Sequence, residues 1–241
     1  MPKPSLKNPI DYLQNLVYSG HFENTDNKIL LLLILADFGF MLTYILLRFG
    51  YLKSPNWDIT VDRGYSEIYQ YVKEFWIVIL FIIYGVRTLT LIYFSWSLLY
   101  LYIFLDDCYE FHERFGERIA ETLSFHPSIG LRAVDFGEMS IYILVGVAFI
   151  LILVFSYYKS SKEGRKISNN LFLLLALLTF FGFFVDMIHV IIESTLVNTT
   201  ISLLYFNILE DGGEMVAISL TVWYLLRINP TPYRFRFQSS G

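Results

Sequence analysis

The chain has 241 residues, of which 55% are hydrophobic and 18% aromatic, and its formal net charge is −4. A soluble domain of this size is less apolar and more charged, so we expect an all-α integral membrane protein whose main partner is the lipid bilayer. The negative charge does not favour a nucleic-acid partner, and the single cysteine, Cys108, excludes an internal disulfide. Residues 1–27 lack the apolar core of a cleavable signal peptide, so none is expected.

The hydropathy pattern divides the chain into three parts. Residues 1–27 are polar, and a short apolar face that begins at Ile10 predicts a helix on the membrane surface. Residues 228–241 form a basic and aromatic tail that suits a membrane interface. Between these two segments, residues 28–227 are predicted to form a domain of six transmembrane helices, over residues 28–48, 67–86, 89–105, 138–158, 169–192 and 205–227. We expect the third of these helices to continue beyond the membrane as far as Glu121.

Basic residues predict the orientation of these helices. They are concentrated in the loop between the fourth and fifth helices and in the segment after the sixth helix, whereas the segment 194–206 has none. By the positive-inside rule, the basic segments are cytoplasmic and 194–206 is outside, so six spans place both termini in the cytoplasm. The basic residues are Lys159, Lys162, Arg165, Lys166, Arg227, Arg234 and Arg236.

A related five-residue sequence begins both the fourth and the sixth apolar run. The two copies are Asp135-Phe136-Gly137-Glu138-Met139 and Asp211-Gly212-Gly213-Glu214-Met215. Each follows an apolar run that ends in acids and a histidine. This pattern predicts a tandem repeat of one helical hairpin, spans 3–4 and spans 5–6, with the acids of both hairpins at the outer end. Repeat interfaces of this kind commonly hold the binding site of a membrane protein.

The acids of both hairpins are predicted to meet, and several share a helix face, among them Asp106, Glu110 and Glu113 at i, i+4, i+7 spacing. Carboxylates at close range repel strongly unless they are protonated, paired with a base, hydrated or bound to a cation. We therefore predict a divalent metal ion, Mn, Fe, Mg, Ca or Zn, and favour the harder ions because most ligands are oxygens. The candidate ligands are Asp107, Glu110, His112, Asp135, Glu138, Asp186, His189, Asp211 and Glu214.

The ligand pattern resembles the architecture of carboxylate-bridged two-metal bundles, which use two single glutamates and two Glu-x-x-His pairs. Glu138 and Glu214 would be the single glutamates, and Asp186-x-x-His189 one of the pairs. In the other pair, a carboxylate replaces the histidine, and helical periodicity rotates His112 away from its face. An alternative explanation for the acids that begin the fourth and sixth helices is simple helix capping.

This pattern suggests two functions. A third possibility is a non-catalytic membrane protein in which the metal has a purely structural role. The first is a metal-dependent enzyme that acts on a lipid-soluble substrate, with Glu113 or Glu210 as general base. The alternative is a cation or proton channel or transporter with an acidic outer vestibule, in which Asp37 belongs to the ion path and a homo-oligomer builds the pore. We rank the enzyme first because the acids gather at one end of the helices, whereas transport requires polar residues along their depth.

Overall fold

The structure, a computed structural model, describes residues 25–195 and 200–230. This part of the chain is all-α, as the sequence predicts, and forms seven helices when α6 is taken as one helix in three parts. The predicted surface helix at Ile10 and the end of the basic tail lie outside the described residues. The helices are α1 (Thr25–Arg48), α2 (Tyr65–Thr88), α3 (Leu91–Tyr109), α4 (Phe111–Thr122), α5 (Ala133–Lys159), α6 (Lys162–Thr179, the π-helical segment Phe180–Val185 and Asp186–Thr195) and α7 (Thr200–Arg227).

Five of the described helices are long and apolar enough to cross a membrane: α1, α2, α3, α5 and α6. They correspond to the first five predicted spans. Helix α7 has 28 residues but is not among the five, because Glu210, Asp211 and Glu214 interrupt its apolar sequence.

A left-handed residue joins α2 to α3. Helix α2 ends at Thr88, Leu89 has φ 49°, and α3 begins at Leu91. The turn therefore lies two residues after the gap between the predicted spans 67–86 and 89–105. The short turn makes the two helices antiparallel neighbours. Their packed faces supply much of the core, which includes the fully buried aromatic side chains of Phe81 and Trp96.

The helix predicted to run from 89 to 121 is broken at Glu110. This residue has φ 53° and ψ 46°, and its N–H donates a hydrogen bond to the Asp106 carbonyl oxygen. The chain therefore turns and begins a separate helix, α4. As a result, the single acidic face expected for Asp106, Glu110 and Glu113 does not form.

Two glycines allow α4 and α5 to pack closely. A Cβ atom added at Gly137 would overlap the Gly116 carbonyl oxygen, and one added at Gly116 would lie 2.7 Å from Cγ of Glu138. Both glycines are buried. The contact places Glu138 directly against α4, near the acids that follow α3.

The π-helical segment of α6 lies against the acidic part of α7. A Cβ atom at Gly182 would lie 2.5 Å from Oε1 of Glu214, and Phe181 occupies the space beside Gly213. A π-helical segment rotates the residues that follow it relative to a regular α-helix, and such segments are frequent at functional sites. Asp186 follows the segment directly.

Candidate functional site

A cavity of about 150 Å³ lies where α2, α3, α4 and α7 meet the loop that precedes α2. Eight of its described lining residues are Asp or Glu, and none of those described is Lys or Arg. Negative charge of this density attracts cations. We call it the acidic cavity, and its acidic residues are Asp62, Glu67, Asp106, Asp107, Glu110, Glu113, Asp211 and Glu214.

His112 is bound to Asp106 rather than rotated away from it. The Asp106 carboxylate accepts hydrogen bonds from the His112 backbone N–H at 2.9 Å and pairs with Nδ1 of the ring at 3.1 Å. The ring also stacks on Tyr142. Burial alone would lower the pKa of His112, but the hydrogen bond and charge of Asp106 outweigh it and raise the pKa above its ordinary value. The expected orientation was wrong because it assumed a continuous helix through Glu110.

Glu110 and Glu113 lie at the rim of the acidic cavity. Glu110 forms ion pairs of 3.5 Å with both Arg63 and Arg114, so its charge is compensated by basic residues. The Glu113 side chain is 49% exposed, and its Oε1 lies 3.9 Å from Nε2 of His112. Partial burial raises the pKa of Glu113, although the charge of His112 opposes the shift. A half-exposed carboxyl beside a histidine can exchange protons. Glu113 therefore stays a candidate for the predicted general base.

Asp135 has the capping role that the sequence left as an alternative. Its carboxylate accepts hydrogen bonds from the Arg132 backbone N–H at 2.6 Å, from Nε at 2.9 Å and from Nη2 at 2.7 Å. The bond from the Arg132 backbone N–H is the N3-to-N-cap half of a capping box, and it caps the start of α5. Glu138, one turn later, instead interacts electrostatically with His112 across the α4–α5 contact.

A second histidine pairs with an acid between α6 and α7. Nδ1 of His189 lies 2.8 Å from Oε2 of Glu210, and the ring stacks on Phe206. Nε2 of His189 is buried and has no hydrogen-bond partner within the described part of the chain. Asp186 interacts electrostatically with both Glu210 and Glu138. The predicted residues of the two hairpins therefore do approach one another.

Glu74 of α2 is the most unusual acid of the site. Its side chain is fully buried, and neither carboxyl oxygen accepts a hydrogen bond of normal length from a donor among the described residues. Its polar neighbours include the Asp107 carboxyl, which can share a proton with it, and the Gln70 amide. It interacts electrostatically with Asp107 and Glu214, which line the acidic cavity. The amide Nε2 of Gln70, one turn away on α2, donates a 3.4 Å hydrogen bond to Glu214. We call Glu74, Asp107 and Glu214 the inner carboxyl group.

Sequence reasoning missed Glu74, although a signal was present. Glu67, Gln70 and Glu74 follow i, i+3, i+7 spacing, and Lys73 and Glu74 are adjacent charges within a mostly apolar run. Charged residues inside such a run mark functional sites by default.

Next to Glu74, Lys73 forms a fully buried ion pair with Asp37 of α1. Nζ of Lys73 donates hydrogen bonds to Oδ1 of Asp37 at 2.8 Å, to the Met215 carbonyl oxygen at 2.9 Å and to Oγ of Ser219 at 3.1 Å. The Ser219 hydroxyl donates to Oδ2 of Asp37 at 2.6 Å. Asp37 is fully buried and therefore faces protein, as the cost of a charge in the middle of a membrane span requires. We call this arrangement the Lys73 site.

Comparison with known proteins gives one family. A family model described as "Domain of unknown function (DUF8692)" matches residues 64–228, more than half of the chain. The chain belongs to this family. The DUF8692 region covers α2 to α7, and so contains Lys73, Glu74 and the acidic residues of both hairpins, whereas Asp37 precedes it. No curated protein and no solved structure matches the chain.

The DUF8692 region brings the predicted ligands into separate small groups. Over residues 25–195 and 200–230, no three or more His, Cys, Asp or Glu are arranged to hold a metal ion. Asp106 pairs with His112, Glu210 with His189, and Asp135 with Arg132. The divalent metal centre therefore stays a prediction. The arrangement can attract cations into the acidic cavity and offer them carboxyl oxygens as ligands.

Proposed function

We propose that the chain is a polytopic membrane protein that moves protons or small cations and that the acidic cavity is its entrance. The burial of Glu74 carries this proposal. A buried carboxylate that accepts no hydrogen bond of normal length is strongly unfavourable, and the neighbouring carboxyls of Asp107 and Glu214 increase the cost. The burial of the Glu74 carboxyl is tolerable if the inner carboxyl group holds a proton or a bound cation. A site that requires a positive charge at the end of an acidic cavity is suited to ion uptake.

The polar residues of α2 favour transport over an enzyme. From the acidic cavity, Glu67, Gln70 and Glu74 lead along one side of α2, and Lys73 then reaches Asp37 near the middle of α1. Transport requires such a succession of polar groups along the depth of a helix. The sequence alone favours the enzyme, because apart from Asp37 the acids that it singles out gather at the helix ends, and Lys73 and Glu74 within α2 are not among them.

The proposal includes the predicted topology. All six predicted spans cross the bilayer, both termini are cytoplasmic, and the acidic cavity opens on the other side. The two hairpins act as a tandem repeat whose acidic ends meet, which is supported by the interactions of Asp107 with Glu214 and of Glu138 with Asp186. A homo-oligomer, which could provide a pore between copies, is part of the same proposal.

Cation flux into liposomes tests the function and the entrance together. The full chain with Cys108→Ser and Gln70→Cys is reconstituted, and a positively charged methanethiosulfonate reagent is applied to either side. We expect flux above that of empty liposomes and its loss after modification, because Gln70 lines the acidic cavity. The matched control is Glu117→Cys, on the exposed side of α4. Flux equal to that of empty liposomes contradicts the proposal.

His189 supports a metal-dependent membrane enzyme as a second candidate. A histidine that binds a metal usually directs its other ring nitrogen to a carboxylate, and His189 has this arrangement, with Nδ1 on Glu210 and Nε2 unpartnered among the described residues. Plasma mass spectrometry of the wild type and of Asp186→Ala/Glu214→Ala tests it. Stoichiometric metal in the wild type alone would favour the enzyme, and no metal in either protein would exclude a tightly bound one.

A further inference from the structure

The Lys73 ammonium occupies a pocket of oxygen atoms. Three oxygens of different chemistry surround Nζ at 2.8–3.1 Å: a carboxylate, a backbone carbonyl and a hydroxyl. They come from α1 and α7, while Lys73 reaches them from α2. The Tyr69 ring lies 4.6 Å from Nζ on a further side. Lys73, Asp37 and Ser219 are all fully buried, so these protein atoms replace water around the charge.

Without the ammonium, the same pocket would suit a small monovalent metal cation. Hard cations prefer oxygen ligands, and carbonyl oxygens can replace their hydration shell. Asp37 supplies a single negative charge, which a monovalent ion balances and a divalent ion exceeds. The Ser219 hydroxyl, which now donates to Asp37, can turn its lone pairs to the ion because hydroxyl groups both donate and accept.

The pocket adjoins the acidic cavity. Met215 lines that cavity, and the same residue's carbonyl oxygen accepts the Lys73 hydrogen bond. Lys73 also interacts electrostatically with Glu74, whose buried carboxyl oxygens accept no hydrogen bond of normal length from the described residues. A cation that reaches the floor of the cavity is therefore close to the pocket, and Glu74 provides a second negative charge for a displaced ammonium.

We propose that Asp37, the Met215 carbonyl oxygen and Ser219 form a binding site for Na⁺ or K⁺, and that Lys73 is a built-in competitor for this site. The inference rests on the proposed transport function and names the class of the transported ion. The ion binds when the Lys73 ammonium leaves, so the apparent affinity of the wild type is reduced by the small fraction of time for which the pocket is free.

Equilibrium binding of radioactive sodium and rubidium tests this proposal. The full chain is purified in detergent as wild type, as Lys73→Ala and as Lys73→Ala/Asp37→Asn, with N-methylglucamine holding the ionic strength constant. We expect saturable binding to Lys73→Ala that is at least about tenfold tighter than to the wild type, because the competitor is absent. The double variant, which lacks the carboxylate, should lose this binding. Equal binding by the single and the double variant overturns the proposal.

Ser219→Ala gives an independent test if Lys73→Ala does not fold. It keeps the Lys73–Asp37 pair but removes one oxygen ligand, so it should bind sodium or rubidium more weakly than the wild type. Equal affinities overturn the proposal. The outcome is distinct from that of the flux assay: binding to Lys73→Ala without wild-type flux would support the site and contradict transport, and flux without such binding would do the reverse.

Discussion

Lys73 and Asp37 depend on each other because both are fully buried. Removing one partner of a buried ion pair leaves an uncompensated charge and costs about 3–5 kcal/mol, whereas replacing both with neutral residues of similar volume is often nearly neutral. We therefore expect Lys73→Met to destabilise the protein by about that amount, and Lys73→Met/Asp37→Asn to recover most of the loss. Denaturant unfolding in detergent, without small metal cations, measures both. A double variant as unstable as the sum of the single ones would contradict this interpretation.

His112 makes stability depend on pH. Burial lowers its pKa, but the bond to Asp106 dominates and the folded-state pKa is raised. The ion pair therefore contributes fully below the unfolded pKa of about 6.5 and is lost as pH rises through the folded value. We expect His112→Asn to reduce the unfolding free energy more at about pH 5.5 than at about pH 8.5. His126→Asn, at an exposed loop position, is the control. A loss for His112→Asn that is equal at both pH values would exclude this role of the pair.

Individual charges could be predicted from the sequence only where they stood out from an apolar run. Asp37 lies in the middle of its run, and its burial followed from the cost of a charge in that position. Glu74 lies nearer the start of its run, beside Lys73, and the sequence pairs it with no residue of the two hairpins. Its importance depends on contacts with Asp107 and Glu214, which are distant in sequence and require the tertiary structure.

At the scale of the helices, the contact between α4 and α5 depends on Gly137. A side chain there would overlap the backbone of Gly116, so Gly137→Ala should destabilise the protein by about 1–3 kcal/mol, as overpacking does. Gly146→Ala, on the same helix, has no neighbouring atom within 4 Å and should be neutral or stabilising by up to about 1 kcal/mol. Thermal unfolding of the two variants measures the difference, and equal effects would contradict the close packing.

The positions and lengths of most helices could be predicted, because long apolar runs favour helices that bury their backbone hydrogen bonds. The break at Glu110 could not, since left-handed backbone in a residue other than glycine has no clear sequence signal. The π-helical segment Phe180–Val185 was also missed, because its sequence is as apolar as a regular helix and packing against α7 decides its geometry. Both irregularities adjoin the candidate site.

For the whole molecule, the proposed topology predicts that the two ends of α5 lie on opposite sides of the bilayer. Ser161 lies between α5 and α6, and Ser124 follows α4; both are exposed. In a Cys108→Ser background, Ser161→Cys should react with an impermeant maleimide only from the cytoplasmic side, and Ser124→Cys only from the other. Labelling of intact and inverted membrane vesicles distinguishes the sides. Reaction of both cysteines from one side would exclude the topology.

In the proposed function, a positive charge reaches Glu74 through the acidic cavity and crosses the membrane. The most direct test compares cation and proton flux in liposomes that contain equal amounts of wild type or Glu74→Gln. Glutamine keeps the size of the side chain but removes its acid group. We predict flux by the wild type and a reduction of at least about tenfold in the variant, since charged residues of this kind mark ion paths. Equal flux in the two proteins, or flux no higher than in empty liposomes, would contradict the claim.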